Sequence, residues 1–459
     1  PGDIAAIAGR HGARIKKQLR NAAVLDLTAE QLEAIAADPE VAHLSGDAKV
    51  HRMMAVATQS TGADQVWGGI AGLPGYTGRG VGVAIIDSGV ANHKSLKKSV
   101  VASLDFTGGK KGLDDYGHGT HVAGIIASDD PTYAGVAPGA HIVSLKVLGE
   151  DGSGDTSDVI AAIDWVIENR AKYNIRIINL SLGKPVFESY RDDPLCQAAQ
   201  RAIDAGLVVI ASAGNFGKTP DGQPIIGGIV SPGNLPDAIT VGALNTKGTA
   251  FTSDDVVATY SSRGLTHIDG VLKPELVAPG NRIVSASAHK SAIAQAYPER
   301  IVAGQGNHAF IEMSGTSMAA AVVSGAAAVL LEANPDLTPA DVKLALQLSS
   351  SRVPGAGLIE AGAGALNLAS AVLLAKGQWQ DVMIGGETAV PAGVFFVHGP
   401  EGSNVGRMNA AIDQIWTGLD PTTHVSFDPN GVIPNSIVWT NSIVWTNSIV
   451  WTNSIVWTN

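Results

Sequence analysis

Short apolar runs alternate with longer amphipathic stretches through the middle of the chain. The run Val81–Ile86 is continuously apolar and β-branched, which is typical of a strand buried on both faces of a parallel sheet. Similar runs predict further strands at His141–Val147, Ile175–Leu180 and Leu207–Ala211. Helical periodicity predicts intervening helices at Val122–Ala127, Thr156–Lys172 and Pro194–Ala205. This alternation predicts an α/β fold with three layers around a doubly wound, mostly parallel sheet, whose functional residues gather at the carboxyl ends of strands.

A smaller α/β unit is predicted before this sheet, over residues 1–55. Its pattern indicates a helix at Asp3–Gly9, a capping box that opens a second helix at Thr28, and short strands at Arg14–Arg20, Ala22–Leu27, Val41–Leu44 and Ala48–His51. Residues Met53–Gly62 show no clear pattern and are predicted to be an exposed linker. The large domain is assigned to residues 56–375.

The carboxyl-terminal part has a different composition. A helix is predicted at Pro339–Leu348, and Val353–Leu374 is expected to be the last packed segment. Residues 376–434 are assigned to an extension, and residues 435–459 to a tail with four tandem copies of NSIVWT. Because the repeat has an even period, each copy keeps the phase of a strand, so β structure or disorder is expected there. A repeat without function explains this tail as well as a purposeful one does.

Composition excludes several classes of protein. The net charge of −11 and the lack of an extended basic face argue against a nucleic-acid partner. The longest apolar run, within Met313–Leu331, is predicted to be too short to span a bilayer. Cys196 is the only cysteine, so no disulfide can form within the chain. The first residues lack the pattern of a signal peptide, so an exported protein would have lost its leader.

The stretch Met313–Leu331 carries the first candidate for chemistry. Ser317 follows Gly315 and Thr316 and precedes a run of small apolar residues, which predicts a serine in the first turn of a buried helix. Helix N-termini carry free N–H groups and a positive dipole, which suit a nucleophile and a developing oxyanion. Taken alone, this stretch is better explained by a serine that merely caps the helix.

Other segments supply the partners that acyl transfer needs. Asp87 ends a predicted strand, His118 opens a helix within GHGTHVAG, and Asn215 ends the segment ASAGN. A hydroxyl nucleophile needs an imidazole base, an acid that fixes the tautomer of the base, and donors for the oxyanion. Singly, these residues are explained as a turn aspartate, weak metal ligands (His118 and His121) and a turn asparagine. Their joint occurrence favours catalysis.

The order of these residues separates two classes of hydrolase. The segment around Ser317 nearly matches the nucleophile elbow of α/β-hydrolases, in which the serine precedes the acid and the histidine. Here the order is Asp87, His118, Ser317. The chain therefore resembles the subtilisin-like serine proteases (the subtilase family), through VAIIDSGV, GHGTHVAG, ASAGN and GTSMA, over about Ala63 to Leu374.

The resemblance implies a serine endopeptidase that needs no cofactor. It implies Asp87, His118 and Ser317 as the catalytic triad, Asn215 as the oxyanion donor and His121 as a second, non-catalytic histidine. It further implies that the substrate backbone lies between two flanking strands and that Ala211–Gly214 walls the primary specificity pocket, so the substrate-binding residues are expected to be Gly152, Ser153, Gly154, Ser181, Leu182, Gly183, Ala213 and Gly214. The sequence places no acidic residue in this pocket, so a broad, apolar-leaning preference is expected.

The same resemblance implies a proenzyme. Residues 1–55 resemble the inhibitory prodomain of the family, with a ferredoxin-like fold, and autocleavage is expected between about Val50 and Ala57. The expected partners are polypeptide substrates and the protein's own prodomain, and the expected state is a secreted monomer. The alternative is a weakly active subtilase-fold protein that binds or anchors to a surface through its repeat tail.

Two departures from the family pattern stand out. Ala321 replaces the usual proline, so the helix that follows Ser317 is expected to run straighter. The segment Ser128–Tyr133 replaces a longer loop that carries calcium in many relatives. Asp129 and Asp130 could ligate a structural calcium ion, although the family's ligands do not transfer to this loop. The sequence assigns no metal site.

Overall fold

The computed structural model describes residues 4–18, 23–41, 53–109, 112–378 and 380–396, together with two short strands in the tail. It divides into two compact units, Pro1–His51 and Arg52–Asn459.

The first unit is a small α/β arrangement. Helix α1 (Ile4–Arg10) precedes strands β1 (Arg14–Gln18) and β2 (Ala23–Asp26), which pair antiparallel, and helix α2 (Ala29–Ala36) follows. The predicted capping box is present, because the side chains of Thr28 and Gln31 each accept the other's backbone N–H. The two later strands predicted for this unit lie outside the described residues. Its predicted ferredoxin-like fold stays a prediction.

The second unit contains the remaining elements. Its helices are α3 (Met53–Ser60), α4 (Ala63–Gly68), α5 (His118–Ala127), α6 (Thr156–Asn169), α7 (Pro194–Asp204), α8 (Ala292–Ala296), α9 (Thr316–Ala333), α10 (Pro339–Ser349), α11 (Leu358–Ala361) and α12 (Leu368–Ala375). Its strands are β3 (Gly82–Asp87), β4 (Val100–Asp105), β5 (His141–Lys146), β6 (Ile175–Leu180), β7 (Val208–Ser212), β8 (Ile239–Asn245), β9 (Val256–Val257), β10 (Gly264–Leu265), β11 (Leu272–Lys273), β12 (Leu276–Pro279), β13 (Ile283–Ala286), β14 (Ile301–Ala303), β15 (Phe310–Met313), β16 (Val382–Ile384) and β17 (Glu387–Ala389). Short 3₁₀ turns occur at Lys94–Leu96, Pro298–Arg300 and Gly306–His308.

The central sheet has the order β12-β8-β7-β6-β3-β5-β4, and these seven strands are all parallel. Strand β9 adds an antiparallel edge beside β8. Alternate residues of β3 enter opposite cores: Val83 and Ile85 pack with α5 and α9, and Ala84 and Ile86 pack with α6 and α7. Both faces of the strand are therefore buried, as its continuous apolar sequence indicated. The predicted three-layer, doubly wound α/β fold is confirmed.

The segment after Arg52 corrects the predicted linker. Met53–Ser60 is a helix, and its residues Val56 and Ala57 are buried with about 1% of their surface exposed. Methionine, alanine and glutamine favour helix here. Gly62 then ends the segment in the left-handed region, with a φ of 71° and no room for a side chain beside Ala369.

The packed region also continues beyond Leu374, which corrects the expected last segment. The β16–β17 hairpin buries Val382, Ile384 and Ala389 in the core that contains α9. The Glu387 side chain accepts hydrogen bonds from the backbone N–H groups of Thr252 and Ser253, and so holds the hairpin to a loop of the main domain. In the tail, strands β18 (Ile443–Trp445) and β19 (Ile449–Trp451) pair antiparallel, in agreement with the β structure expected of the repeat.

Helix α9 corrects the expectation from the apolar runs. Within the described residues it is the one helix that has the length and composition of a membrane span. However, 89% of that span is buried inside the protein. Its apolar surface packs against α5, α12 and the central sheet.

Candidate active site

Residues from three neighbouring strands meet at one edge of the sheet. Asp87 is the last residue of β3, Ser181 directly follows β6, and Asn215 comes three residues after β7. Because β7, β6 and β3 are adjacent and parallel, their carboxyl ends lie side by side. Helices α5 and α9, which carry His118 and Ser317 in their first turns, pack against each other. The sheet therefore supplies the carboxylate and the amide, and the two helices supply the imidazole and the hydroxyl.

Asp87 and His118 form a buried pair. Nδ1 of His118 lies 2.8 and 2.9 Å from the two carboxylate oxygens of Asp87. The Asp87 side chain has no exposed surface, and that of His118 has 15%. Burial lowers the pKa of His118, but the charge and hydrogen bond of Asp87, together with the charge of Asp114, outweigh burial and raise that pKa above its ordinary 6.5. The carboxylate thus favours the His118 tautomer with its proton on Nδ1, in which Nε2 is the acceptor.

Asp114 is a site residue that the motifs did not reveal. The N-cap position of α5 is Gly117, which has no side chain to cap the helix. Instead, the Asp114 carboxylate accepts hydrogen bonds from the backbone N–H groups of Gly117 and Thr120, at 2.6 and 2.8 Å. Ser88 joins this network, since it donates to Asp114 and accepts from Gly119 N. Burial raises the pKa of the Asp114 carboxyl, against the effect of these hydrogen bonds.

His121 occupies a different environment from His118. It is fully buried, and its Nε2 lies 3.1 Å from both Ile283 O and Ile311 O. Burial, followed by the charge of His118, lowers the pKa of His121 to about 3. A neutral imidazole that donates to two strand carbonyls fits a structural role.

Ser317 is tied to the end of β6. It is one of two residues in α9 that are not buried. Its Oγ donates to Ser181 O at 2.9 Å, and Ser181 Oγ donates in return to Ser317 O at 2.8 Å. Asn179 and Ser324 extend the network, through bonds of 2.9 Å from Asn179 Nδ2 to Ser181 Oγ and from Ser324 Oγ to Asn179 Oδ1. The described hydrogen bonds therefore place the Ser317 hydroxyl on Ser181 rather than on His118.

Thr316 orients the side chain of Asn215. Both Thr316 N and Thr316 Oγ1 donate to Asn215 Oδ1, at 3.0 and 3.1 Å, and Gly214 N donates to Thr316 Oγ1 at 3.1 Å. With Oδ1 held in this way, Nδ2 is the free end of the amide. A Cβ built on Gly315 would lie 3.5 Å from Asn215 Nδ2 and 3.8 Å from Ser317 N. The two N–H donors therefore border one small space, which Gly315 leaves open.

Comparison with known proteins identifies the family of this chain. The model of the subtilase family matches residues 78–365. The chain belongs to the subtilase family. It is 37% identical to serine protease AprX of Bacillus subtilis over 334 residues, which cover 71% of this chain and 72% of the relative. It is 32% identical to subtilisin E of the same organism over 369 residues, covering 78% and 85%. A solved structure of a cold adapted subtilisin-like serine proteinase is similar at 30% identity and a TM-score of 0.49, and covers 67% of this chain and 97% of that one.

As a subtilase, the chain is a serine protease of the hydrolase class, and subtilases need no cofactor for catalysis. The subtilase helix that follows Ser317 runs unbroken to Ala333, through the fully buried Ala321 that replaces the usual proline.

The two triplets expected to flank the substrate are not strands in this subtilase. Strand β6 ends at Leu180, and pairing resumes only with the bridge between Lys184 and Ser231. In the other triplet, the Asp151 carboxylate accepts from Ser153 N and Oγ and so forms a turn. An edge segment gains ladder hydrogen bonds only when a partner strand pairs with it.

Val230 lies between the segments expected to contact the substrate. A Cβ on Gly183 would lie 2.5 Å from Val230 Cγ2, and one on Gly214 would lie 2.9 Å from Val230 Cγ1. Ala213 and Gly214 are both buried. Tyr116 fills the corresponding space beside Gly152, where a Cβ would lie 2.4 Å from its Cζ. The contacts with Val230 and Tyr116 leave no room for a side chain, which explains why positions 183 and 152 are glycine.

The carboxylates suggested as calcium ligands have other partners. Asp129 Oδ2 accepts from Lys98 Nζ at 2.9 Å, and Asp130 Oδ1 accepts from the backbone N–H groups of Thr132 and Tyr133. Within the part of the chain that the structure describes, no cluster of three or more acidic, histidine or cysteine side chains could hold a metal ion. The loop is thus arranged around its own polar groups, and the described residues assign no calcium ligand to it.

Proposed function

We propose that this subtilase cleaves peptide bonds with Ser317 as the nucleophile, His118 as the general base and Asp87 as the residue that orients His118. The observation that carries the proposal is the buried Asp87–His118 pair at the sheet edge where α9 presents Ser317. Family membership supports a serine peptidase, and the geometry supports the roles of these residues.

In the first step, His118 Nε2 takes the proton from Ser317 Oγ as that oxygen attacks the scissile carbonyl carbon. The Ser317 hydroxyl must first rotate away from Ser181 O, which exchanges one hydrogen bond of about 1 kcal/mol for another. Hydrogen bonds at a catalytic serine commonly tighten only when substrate binds. The buried Asp87 stabilises the imidazolium that forms.

The negative charge that develops on the carbonyl oxygen needs donors that are already in place. Asn215 Nδ2 and Ser317 N border one space, and the dipole of α9 adds positive potential at its N-terminus. The tetrahedral intermediate collapses as His118 gives its proton to the leaving amine. Water, deprotonated by His118, then hydrolyses the acyl-enzyme and restores Ser317.

A peptide substrate would bind as an extended strand between Gly152–Gly154 and Ser181–Gly183. These backbone segments have no partner strand in the described structure, so a substrate strand could complete their pairing. The apolar Val230, beside Gly183 and the buried Ala213–Gly214 wall, favours an apolar side chain on the acyl side of the scissile bond.

We also propose that the chain is a proenzyme whose first unit, Pro1–His51, is the inhibitor and is removed by self-cleavage. A substrate backbone is extended in a protease cleft, whereas Met53–Ser60 is helical with Val56 and Ala57 buried. We therefore propose cleavage before Met53, at the amino-terminal end of the region expected from the sequence. We further propose that the protein is exported and acts as a monomer.

The test follows peptide hydrolysis and intact mass over time for the purified wild type and for Ser317→Ala. The proposal predicts hydrolysis by the wild type and a loss of mass that corresponds to removal of the first unit. It predicts neither for Ser317→Ala. Equal hydrolysis by both proteins would refute the role of Ser317. A folded wild type that cleaves no peptide, but loses surface attachment when residues 435–459 are deleted, would favour the anchoring alternative.

A further inference from the structure

A pocket of about 500 Å³ lies in the segment between β13 and β15. It is lined by residues that include Ser287, His289, Lys290, Gln295, Gln305 and Ala309, and is called the basic pocket below. Its volume falls in the range of pockets that bind small groups. The mechanism described above does not use it.

The basic pocket adjoins the residues that precede His118. Ser291, the neighbour of Lys290, packs so closely on Gly117 that a Cβ there would lie 2.5 Å from Ser291 Oγ. The backbone N–H groups of Ala292 and Ile293 donate to Asp115 O and Tyr116 O, at 2.9 and 3.0 Å. The segment that forms the pocket is therefore fixed to the loop that leads into α5.

The position of the basic pocket beside Gly117 indicates which side of the substrate it contacts. His118 must donate its proton to the leaving amine, so the leaving-group part of the peptide passes on the His118 side. The acyl part lies towards Asn215 and Ser181, which follow β7 and β6. A pocket fixed beside Gly117 is thus available to residues on the leaving-group side of the scissile bond.

The chemistry of the lining selects an anionic group. Lys290 and His289 are both exposed, and the described residues that line the pocket include no aspartate or glutamate. In the surrounding segments, Glu299 lies 4.0 Å from Arg300 and Asp115 lies 3.3 Å from Lys146, whereas the buried Asp114 accepts hydrogen bonds within its own loop. In a chain of net charge −11, the described lining therefore carries the cationic side chain of Lys290 and no carboxylate, which favours an anionic group.

The backbone holds Lys290 in place. Its φ is 64°, in the left-handed region that lysine rarely adopts. Gln295 Nε2 donates to Lys290 O at 2.6 Å and so fixes this turn. Conformations of this kind cost free energy, and they persist where the surrounding structure enforces them, often at binding sites.

We propose that the basic pocket binds an acidic side chain of the substrate on the leaving-group side of the scissile bond, with Lys290 as the residue that sets this specificity. This inference rests on the proposed peptidase function. An exposed ion pair changes an equilibrium by up to about fivefold, and reversal of its sign by about 25-fold. The pocket therefore acts on the choice of substrate rather than on the chemistry of cleavage.

The test uses quenched fluorescent peptides with one acyl-side sequence and with Asp, Asn or Lys at the first or second leaving-group position. For each, kcat/KM is measured at low salt for the wild type, Lys290→Asn and Lys290→Asp. Asparagine and aspartate both tolerate left-handed backbone, so these variants change the charge with little strain. Lys172→Asp is the control, because it makes the same change at the exposed Lys172, before the amino end of β6 and away from the candidate site.

The wild type is expected to prefer the Asp peptide over the Asn peptide about fivefold at one of the two positions. Lys290→Asn should abolish this preference. Lys290→Asp should shift the ratio of kcat/KM for the Asp peptide to kcat/KM for the Lys peptide by about 25-fold towards the Lys peptide. Lys172→Asp should leave both the preference and this ratio unchanged. An active wild type whose ratios do not respond to Lys290 would overturn the pocket assignment alone. A wild type that cleaves none of the peptides would overturn the peptidase proposal and this inference with it.

Discussion

Thr316 provides a sharp test of how the site is organised, because its backbone N–H and its hydroxyl both donate to Asn215 Oδ1. The change Thr316→Val keeps the shape of the side chain and the backbone N–H, and removes the Oγ1 that donates to Asn215 Oδ1 at 3.1 Å. Asn215 then keeps one of its two bonds to residue 316. The loss of one hydrogen bond of about 1 kcal/mol corresponds to about a fivefold fall in kcat, with KM little changed.

The comparison that isolates this role is a double-mutant cycle. Asn215→Ala alone should lower kcat by about 10²- to 10³-fold, as expected when one oxyanion donor is removed. In that background Thr316→Val should lower kcat no further, because the amide it orients is gone. A further fivefold loss would refute the account, since it would show that Thr316 acts independently of Asn215.

Stability needs its own control. Thr316→Val also leaves the buried Gly214 N–H without its acceptor, which should cost about 1–3 kcal/mol of folding free energy. Thr240→Val is a matched control, because Thr240 is equally buried and its hydroxyl bonds Gly233 O at 2.6 Å, at the amino end of β8. It should lower the free energy of unfolding by a similar amount and leave kcat unchanged, so urea unfolding separates the two effects.

His118, Gly152 and Glu332 each allow a further test. Since His118 must be neutral to act as a base, kcat/KM should fall as the pH drops through its raised pKa. The folding stability gained from its pairing with Asp87 is present below pH 6.5 and is lost as the pH rises through that pKa. A titration midpoint at or below 6.5 in the pH profile of kcat/KM would contradict this prediction. Gly152→Ala should lower kcat/KM by about tenfold or more, because its Cβ would displace the Tyr116 ring. Gly206→Ala is the control, since Gly206 has a similar φ of 89° but open space around it, and this change should lower only the melting temperature. Equal kinetics for both variants would count against the assignment of Gly152 to the substrate cleft. Glu332→Ala should lower the free energy of unfolding by about 1–3 kcal/mol, since Oε2 of Glu332 accepts three backbone N–H groups, from Thr77, Gly78 and Arg79, and an unchanged urea midpoint would contradict that role.

The parts of the fold that sequence predicted correctly depend on local patterns. The strand β6 was predicted residue for residue, because isoleucine and leucine occupy most of its buried positions and favour a strand. Asp87, at the end of β3, was placed at the correct edge of the sheet for the same reason. The position of catalytic candidates follows from such strand ends once the sheet is known to be parallel.

Contacts between distant parts of the chain were beyond reach of sequence. Thr316 is 101 residues from Asn215, and Ser181 is 136 residues from Ser317, so no local pattern reports that their side chains meet. The error at Met53–Ser60 has the same origin, because the packing that stabilises this helix comes from elements distant in sequence, among them β13. Asp114 could have been recognised from its position three residues before Gly117, the glycine that leaves α5 without its own cap.

The central claim is that Ser317 is the nucleophile of an Asp87–His118–Ser317 triad. The most direct measurement is the intact mass of the protein after reaction with a fluorophosphonate, followed by peptide mapping, for the wild type and Ser317→Ala. The account predicts a single adduct in the wild type, located on Ser317, and no adduct in the variant. An unmodified wild type, or the same adduct in Ser317→Ala, would contradict it.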